Sequence, residues 1–402
     1  MVQKIGIQGL YYIVHFDNII SILEKGIMCH ELIESEGLNN TPIYNSQIVN
    51  SRSQRTVIDN KSLWSFANLY FQPRNAMLYS VINKTDVHKV AIICIKKKIL
   101  DRKKIFITTG NAASYDSQII PIEESEKVLP QIRKEIDKTW WNNEDGSKRK
   151  MMAECLVPER IAPSYIQMIY VACDRAREDL GKMLRACDKS SLSEIPITVE
   201  PERFFQPVWS ARLTSNVSLI RGDMFFSKMQ TLTVSVNCVG VMGKGLASTA
   251  KDRFPDVYVR YEKVCKNKSL QIGQPYLYKR ESSITEQLAD RTLLPSENVN
   301  DNCQTWFLLF PTKNHWKNNS TIIDIENGLQ WLSENYKSEG IKSLAIPALG
   351  CGLGGLEWRD VGPLMCKYLT SMDIPVAIYL PSEGKLSDEL VSRDFLLSQV
   401  NS

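Results

Sequence analysis

Asn237-Cys238-Val239-Gly240-Val241-Met242-Gly243-Lys244-Gly245 is the stretch on which the reading of this chain turns. An apolar run, Leu232 to Val236, leads into it, and an alternating polar and apolar segment, Leu246 to Tyr261, leads out. The pattern predicts strand, glycine-rich turn, helix. Such a turn lets backbone N–H groups approach a phosphate, and the helix N-terminus behind it favours negative charge. Outward from this turn the second half of the chain alternates. Strands are predicted at 217–221, 231–236, 275–279, 305–310, 343–349 and 375–380, and helices at 245–266, 322–338, 357–370 and 386–398. That order implies an α/β layered domain with ligands bound at the C-terminal ends of its strands.

Four features fall at those strand ends. Asp223 follows the first strand, and Asn237 opens the glycine turn. Lys313 follows Trp306 to Phe310, and Gly350-Cys351-Gly352-Leu353-Gly354-Gly355 follows Leu344 to Leu349. Two glycine turns can enclose a pyrophosphate from both sides, a carboxylate can accept from an adenine amino group, and an Asn can bond a ribose hydroxyl. Gly350, Gly352 and Gly355 also match the dinucleotide fingerprint, but too little chain follows to build the rest of that fold. The Gly240–Gly245 turn is not a P-loop, because no Ser or Thr follows a Lys at the required spacing.

Composition sets wide limits. The 402 residues are enough for two domains with their own cores, and the net charge of +4 permits a local basic groove without indicating a wholesale nucleic-acid binder. No apolar run reaches the roughly 18 residues needed to cross a membrane, and Met1 to Tyr12 lacks a signal peptide's apolar core. Ten cysteines without a C-x-x-C pair, and only four histidines, argue against a zinc site. Most of the cysteines sit in apolar surroundings, which fits buried thiols in a reducing cytoplasm.

Gly222-Asp223, the Asn fourteen residues after that Asp, and the two glycine loops resemble the macrodomain, the ADP-ribose-binding module. The runs VNCVGVMGKGLA, FPTKNHWK and IPALGCGLGGLEW resemble more closely the DarG family of antitoxin macrodomains, which remove ADP-ribose from DNA. The resemblance spans about 215–382. It implies that ADP-ribose is held by Asp223, Met224, Asn237, Gly240, Val241, Met242, Gly243, Gly245, Gly350, Cys351, Gly352, Leu353 and Gly354, with Lys313 catalytic. A lysine amine near the anomeric carbon can attack it and form a Schiff base once the sugar ring opens. The family usually has an Asn three residues before Asn237, where this chain has Val234.

The first half offers a strand at 8–15 ending on His15, and a short helix, Asn18 to Lys25, capped by Asp17 and closed by Gly26. A long polar loop, Glu31 to Arg55, follows. Strands are predicted at 89–95, 104–108, 154–157 and 166–172, and helices near 122–136 and 174–187. Glu154 opens an apolar strand, where an isolated glutamate is ordinarily a solvated edge residue. A cationic clamp plus one glutamate suits glycosyl transfer from a nucleotide. Arg binds a diphosphate in two-pronged fashion, and Glu stabilises an oxocarbenium-like sugar or deprotonates the acceptor. The runs YYIVHFDNIISILEKGI, NSRSQRTV, LYFQPRNAMLY, TTGNAAS and AECLV, across about 8–175, resemble the DarT family of NAD-dependent DNA ADP-ribosyltransferases. By that resemblance His15, Asn18 and Arg55 lie in the NAD site, and Glu154 is catalytic. The catalytic arginine falls on Arg52 or Arg55, with Arg52 preferred because it leads its segment. Thr139 to Met151 becomes the substrate loop, with Trp140, Trp141 and Arg74 as DNA contacts; tryptophans of this kind stack on unpaired bases.

The expectation is an α+β ADP-ribosyltransferase-like domain, residues 1–200, followed by an α/β/α three-layer macrodomain, residues 201–402, with 188–210 as the boundary. The first transfers ADP-ribose from NAD to a base in single-stranded DNA, thymine by family pairing, and the second reverses it. NAD is the substrate, ADP-ribose the ligand or product, and no metal is expected. A cytoplasmic location is expected, with no membrane partner. The alternatives are a macrodomain that only binds or restrains its neighbour, an inactive first domain, or a target that is guanine, RNA or protein.

Overall fold

The computed structural model describes residues 7, 9–43, 51–187, 194–289, 304–381 and 386–400. Parts of the predicted first strand, of the long polar loop (44–50) and of the boundary (188–193) lie outside the described residues. The chain forms two compact units. The first is Met1–Gln206 together with Thr285–Asp301, and the second is Pro207–Ile284 with Asn302–Ser402.

The first unit is built on an eight-stranded sheet. Its strands are β1 (Leu10–His15), β2 (Phe66–Tyr70), β3 (Val90–Ile95), β4 (Phe106–Thr108), β5 (Ile119–Pro121), β6 (Glu154–Pro158), β7 (Ile166–Val171) and β8 (Ile197–Val199). The order is β8-β7-β3-β1-β2-β6-β4-β5, antiparallel except for β7 and β8. β3, VAIICI, is buried along its whole length, as a central strand covered on both faces should be. Helices Ile19–Lys25 and Asp174–Arg185 pack their apolar residues, among them Ile19, Leu23, Ala176 and Leu180, into its main core.

Local chemistry departs from the sequence expectation at several points. Asp17 does not cap the first helix. A 3₁₀ turn, Phe16–Asn18, comes first, and the His15 side chain accepts from the Asp17 N–H. Gly26 closes the helix at φ 93°. The polar stretch after it is not all loop, since His30–Ser35 is helical. The expected helix near 122–136 is a 3₁₀ run, Ile122–Lys127, and then a helix, Leu129–Ile136. The expected boundary contains β8, which pairs with β7 and so belongs to the first sheet.

The second unit holds a seven-stranded sheet of β9 (Trp209–Arg212), β10 (Val217–Arg221), β11 (Thr231–Asn237), β12 (Tyr276–Tyr278), β13 (Trp306–Lys313), β14 (Leu344–Pro347) and β15 (Val376–Tyr379). The order is β9-β10-β15-β14-β11-β13-β12, with five parallel strands between antiparallel edges. The predicted helix at 245–266 is two helices, α1 (Gly245–Arg253) and α2 (Pro255–Lys266). Pro255 ends the first by removing a backbone donor and keeping Phe254 out of the helical region, at φ −136° and ψ 75°. Helices α3 (Ile322–Glu339) and α4 (Trp358–Leu369) bury Leu329, Leu332, Val361 and Met365 in one core. The predicted last helix is reduced to Arg393–Leu396 after a 3₁₀ turn, and edge strand β9 was not anticipated. Mixed α+β and layered α/β architectures are therefore both present. No helix among the described residues is long and apolar enough to cross a membrane.

Candidate active sites

Glu154 is the first residue of β6, opposite Tyr70 on β2, and it is 0 % exposed. A buried carboxylate must be paired and hydrogen-bonded. Arg52, on a helical turn at 51–53, supplies both. Its two terminal nitrogens reach Glu154 Oε1 and Oε2 at 3.4 and 3.0 Å. The Ala112 N–H donates to Oε1 at 2.9 Å, and the Glu154 N–H donates to Thr108 Oγ1 at 2.8 Å. The carboxylate is thus held by Arg52 and Ala112, and the backbone that carries it by Thr108.

Arg55 does something else. It donates to the carbonyls of Ser114 and Ser117 and lies over the Tyr115 ring, and burial lowers its pKa. Of the two arginines, Arg52 meets the glutamate and Arg55 holds the 114–117 loop. A cavity of about 130 Å³ opens beside Arg52 and is also lined by Asn18, His30, Asn40, Thr41 and Trp64. Asn18 bonds both the N–H and the carbonyl of Thr41, at 2.9 and 2.8 Å, so its amide pins the cavity wall. His15 is buried on β1 and is spent on Asp17, 3.1 Å away. The His30 and Trp64 rings meet edge to face at 4.2 Å, and neither was singled out from sequence. Both lie in stretches for which no element is predicted from sequence.

The expected DNA contacts sit differently. Trp141 is 1 % exposed, packs on Phe205 at 5.9 Å and donates its indole N–H to Leu288 O at 3.0 Å. It is not presented to a base. Trp140 is half-buried. Arg74 bonds the carbonyls of Glu202 and Thr139, both at 3.0 Å, and covers the Phe205 ring. It braces the start of the 139–151 loop.

In the second unit Asn237 ends β11, beside Lys313 at the end of β13, where a bulge shifts the register. Asn237 Oδ1 accepts from the N–H groups of Val239 and Val241 at 3.0 and 3.4 Å, and its amide donates to Val241 O at 2.6 Å. The Tyr261 hydroxyl donates to Asn237 O and lies equally close, 2.9 Å, to Oδ1. Asn237 therefore folds the glycine turn from within. Gly240, Val241, Met242 and Gly243 make up its tip. Gly245 has φ 61°, and a Cβ there would lie 3.1 Å from Leu353 Cδ1, so the two glycine loops touch. Gly350 has φ 70° and packs on Leu356. Lys313 Nζ donates to Leu353 O at 2.8 Å, which brings it into contact with the Gly352–Gly354 turn.

Asp223 caps a 3₁₀ turn, Met224–Phe226, through Phe225 N–H, and pairs with Arg253 at 2.6 Å. Met224 is buried beneath it. Burial pushes the Cys351 thiol up to about 12 and the Cys238 thiol up to about 11, the latter with help from neighbouring Cys265. These thiols are neutral packing groups rather than nucleophiles. Sequence reasoning missed Tyr261 and Arg253, which lie 24 and 30 residues from the groups they bond. It also left His315 and Trp316 unassigned. Trp316 is 50 % exposed, stacks on His315 and stands three positions past Lys313. Among the described residues no group of three His, Cys, Asp or Glu side chains could hold a metal.

Comparison with known proteins finds two family matches along the chain. Residues 11–205 match the family described as "ssDNA thymidine ADP-ribosyltransferase, DarT", and 234–365 match the macro domain. A Thermosipho africanus "DNA ADP-ribosyl transferase-DNA ADP-ribosyl glycohydrolase fusion protein" is 54% identical over 390 residues, 96% of this chain and 98% of that one. The solved structure of Thermosipho africanus DarTG in complex with ADP-ribose superposes with a TM-score of 0.88 over 97% of this chain and 99% of that one, again at 54% identity. A Mycobacterium tuberculosis DNA ADP-ribosyl glycohydrolase is 36% identical over 169 residues, 42% of this chain and 43% of that protein.

Proposed function

Because the chain belongs to the family of DarT–DarG fusions, we propose that it writes and erases one mark on DNA. The first unit transfers ADP-ribose from NAD to thymine in single-stranded DNA, and the second cleaves it off again. The observation that carries this reading is that one chain holds a buried Glu154 paired with Arg52 beside a cavity and, in its other unit, a lysine set against two touching glycine loops.

In the writing step NAD occupies the cavity, with Asn18 and Thr41 on its wall and Arg52 turned to the diphosphate. The bond between nicotinamide and C1′ of its ribose breaks, and nicotinamide leaves with the bonding pair. The only ring N–H of a thymidine is on its base-pairing edge, so the acceptor must be unpaired. That nitrogen bonds C1′ and its proton passes to the Glu154 carboxylate. His15 and Arg55 support the site at one remove, through the Asp17 turn and the 114–117 loop.

In the erasing step the diphosphate lies between the Gly240–Gly245 and Gly350–Gly354 loops, over Cys351 and Met242. Asp223 accepts from the adenine amino group above Met224. The Lys313 amine bonds C1′ as the base leaves with its pair and takes up a proton. Opening of the ribose gives the imine, and water releases ADP-ribose and restores the lysine. The protein works in the cytoplasm and needs no metal.

A second reading, a macrodomain that only holds ADP-ribose, is favoured by the engagement of Lys313 with Leu353 O. Full-length protein and labelled NAD, offered single-stranded DNA with and without thymidine, RNA and protein, separate these readings. The expected outcome is label on thymidine-containing DNA, persisting in Lys313→Ala and lost by 10²–10⁴-fold in Glu154→Gln, the range for removal of a positioned acid or base. If Lys313→Ala accumulates no more label than the parent, the erasing role fails.

A further inference from the structure

The first unit is discontinuous. It takes Thr285–Asp301 from a point in the chain beyond β12. The described part of that segment, 285–289, is most of a short helix, Ile284–Leu288, followed by Ala289. The last carbonyls of a helix have no partner within it. Here the 139–151 loop supplies them. Trp141 Nε1 donates to Leu288 O at 3.0 Å, and Lys148 Nζ donates to Ala289 O at 2.7 Å. Gln287 Nε2 donates to Asn142 Oδ1 at 3.0 Å. Leu288 and Ala289 are fully buried, and Lys148 is 8 % exposed. A cation that deep depends on its hydrogen-bonding partners.

From this contact a run of short bonds leads to the glutamate. The Lys148 N–H, in the first turn of the Ser147–Met151 helix, donates to Asn142 O at 3.1 Å. The next residue, Arg149, accepts at its carbonyl from Asn111 N–H at 2.9 Å and donates to Ser117 Oγ at 2.9 Å. Ala112, adjoining Asn111, donates its N–H to Glu154 Oε1. Lys150 O accepts from Ala153 N–H, one residue before Glu154. The segment touches the loop on the side of Trp141 and Lys148, and none of its residues lines the cavity.

We propose that residues 285–289 are a positioning element for the writing reaction. They hold the 139–151 loop in the shape that places Asn111, Ala112 and Glu154, so the transferase is complete only in a chain that extends past Ala289. The inference rests on the transferase reading above. Small displacements of positioning groups cost on the order of 10²-fold in rate.

The test uses full-length protein carrying Lys313→Ala, so that the mark accumulates, and compares Lys148→Met, Lys148→Arg and Gln287→Ala. The rates read are kcat and KM for NAD and for a thymidine-containing oligonucleotide. Lys148→Met is expected to lower kcat by on the order of 10²-fold with KM for NAD unchanged. Lys148→Arg, which returns a donor to the Ala289 carbonyl, recovers most of the loss, and Gln287→Ala gives a smaller one. A Lys148→Met protein with the parent's kcat, a faster one, or a Lys148→Arg protein as slow as Lys148→Met overturns the inference. Should Lys148→Met fail to fold, Gln287→Ala decides. Faster amide exchange in 139–151 together with lower kcat supports the proposal, and no change in both refutes it. A parent that labels no DNA sinks the transferase reading and this inference with it. A parent and variants that label equally sink the inference alone.

Discussion

Trp141 illustrates how one side chain changes meaning with its surroundings. Its ring fills a space against Phe205, and its indole N–H ends on a carbonyl 147 residues further along the chain. Removing a buried ring of this size costs about 3–5 kcal/mol. Trp141→Ala is therefore expected to lower the unfolding free energy of the first unit by that amount in urea titration, before any effect on DNA is counted. A base-stacking tryptophan on the surface would leave stability nearly unchanged. Glu154, Asn237 and Lys313 were legible from the sequence because each sits at the end of an apolar strand. There a polar residue stands out against the apolar run beside it, whether or not it is buried. Trp141 carried no such signal, since its burial depends on a segment that no local pattern connects to it. Asn237 was legible as important, but its bonds are internal. An Asn that folds a loop and an Asn that binds a sugar look alike in a sequence.

At the scale of elements, the strand–helix alternation of the second half was readable because parallel strands covered on both faces are continuous apolar runs. What was lost lies where one residue redirects the backbone. Pro255 divides one long periodic segment into α1 and α2. β8 is three half-buried residues, Ile197–Val199, too short to show a period of their own, and it pairs along the edge of β7. The contact between the two glycine loops is likewise tertiary. It makes Gly245→Ala a sharp probe. The new Cβ meets Leu353, and φ 61° is costly for any residue with a side chain. The variant is expected to be destabilised by roughly 1–2 kcal/mol in thermal unfolding, and to bind ADP-ribose more weakly by calorimetry. Retention of full affinity would mean that the loops need not touch to hold the ligand.

For the molecule as a whole, alkaline pH is a predicted weakness of the second unit. Burial raises Cys238 to about 11 and both Cys351 and Cys366 to about 12, from 9.0. Above pH 9 the unfolded thiols lose protons that the folded ones keep, so stability falls as pH rises from about 9 towards 12. Melting temperatures recorded from pH 8 to pH 10.5 should decline. The decline should be shallower when all three cysteines are replaced by alanine, and an unchanged slope would rule the thiols out as its source. Another consequence concerns synthesis. The ribosome releases Gln206 about 80 residues before Ala289, on the order of ten seconds at 5–20 residues per second. Throughout that interval the nascent writer lacks the turn that receives Trp141 and Lys148. By the time the turn emerges, β9 to β12 and the first glycine loop of the eraser are already outside, while Lys313 is still to come. The order of elements along the chain is thus a schedule, in which the writing unit waits for part of its counterpart to be made.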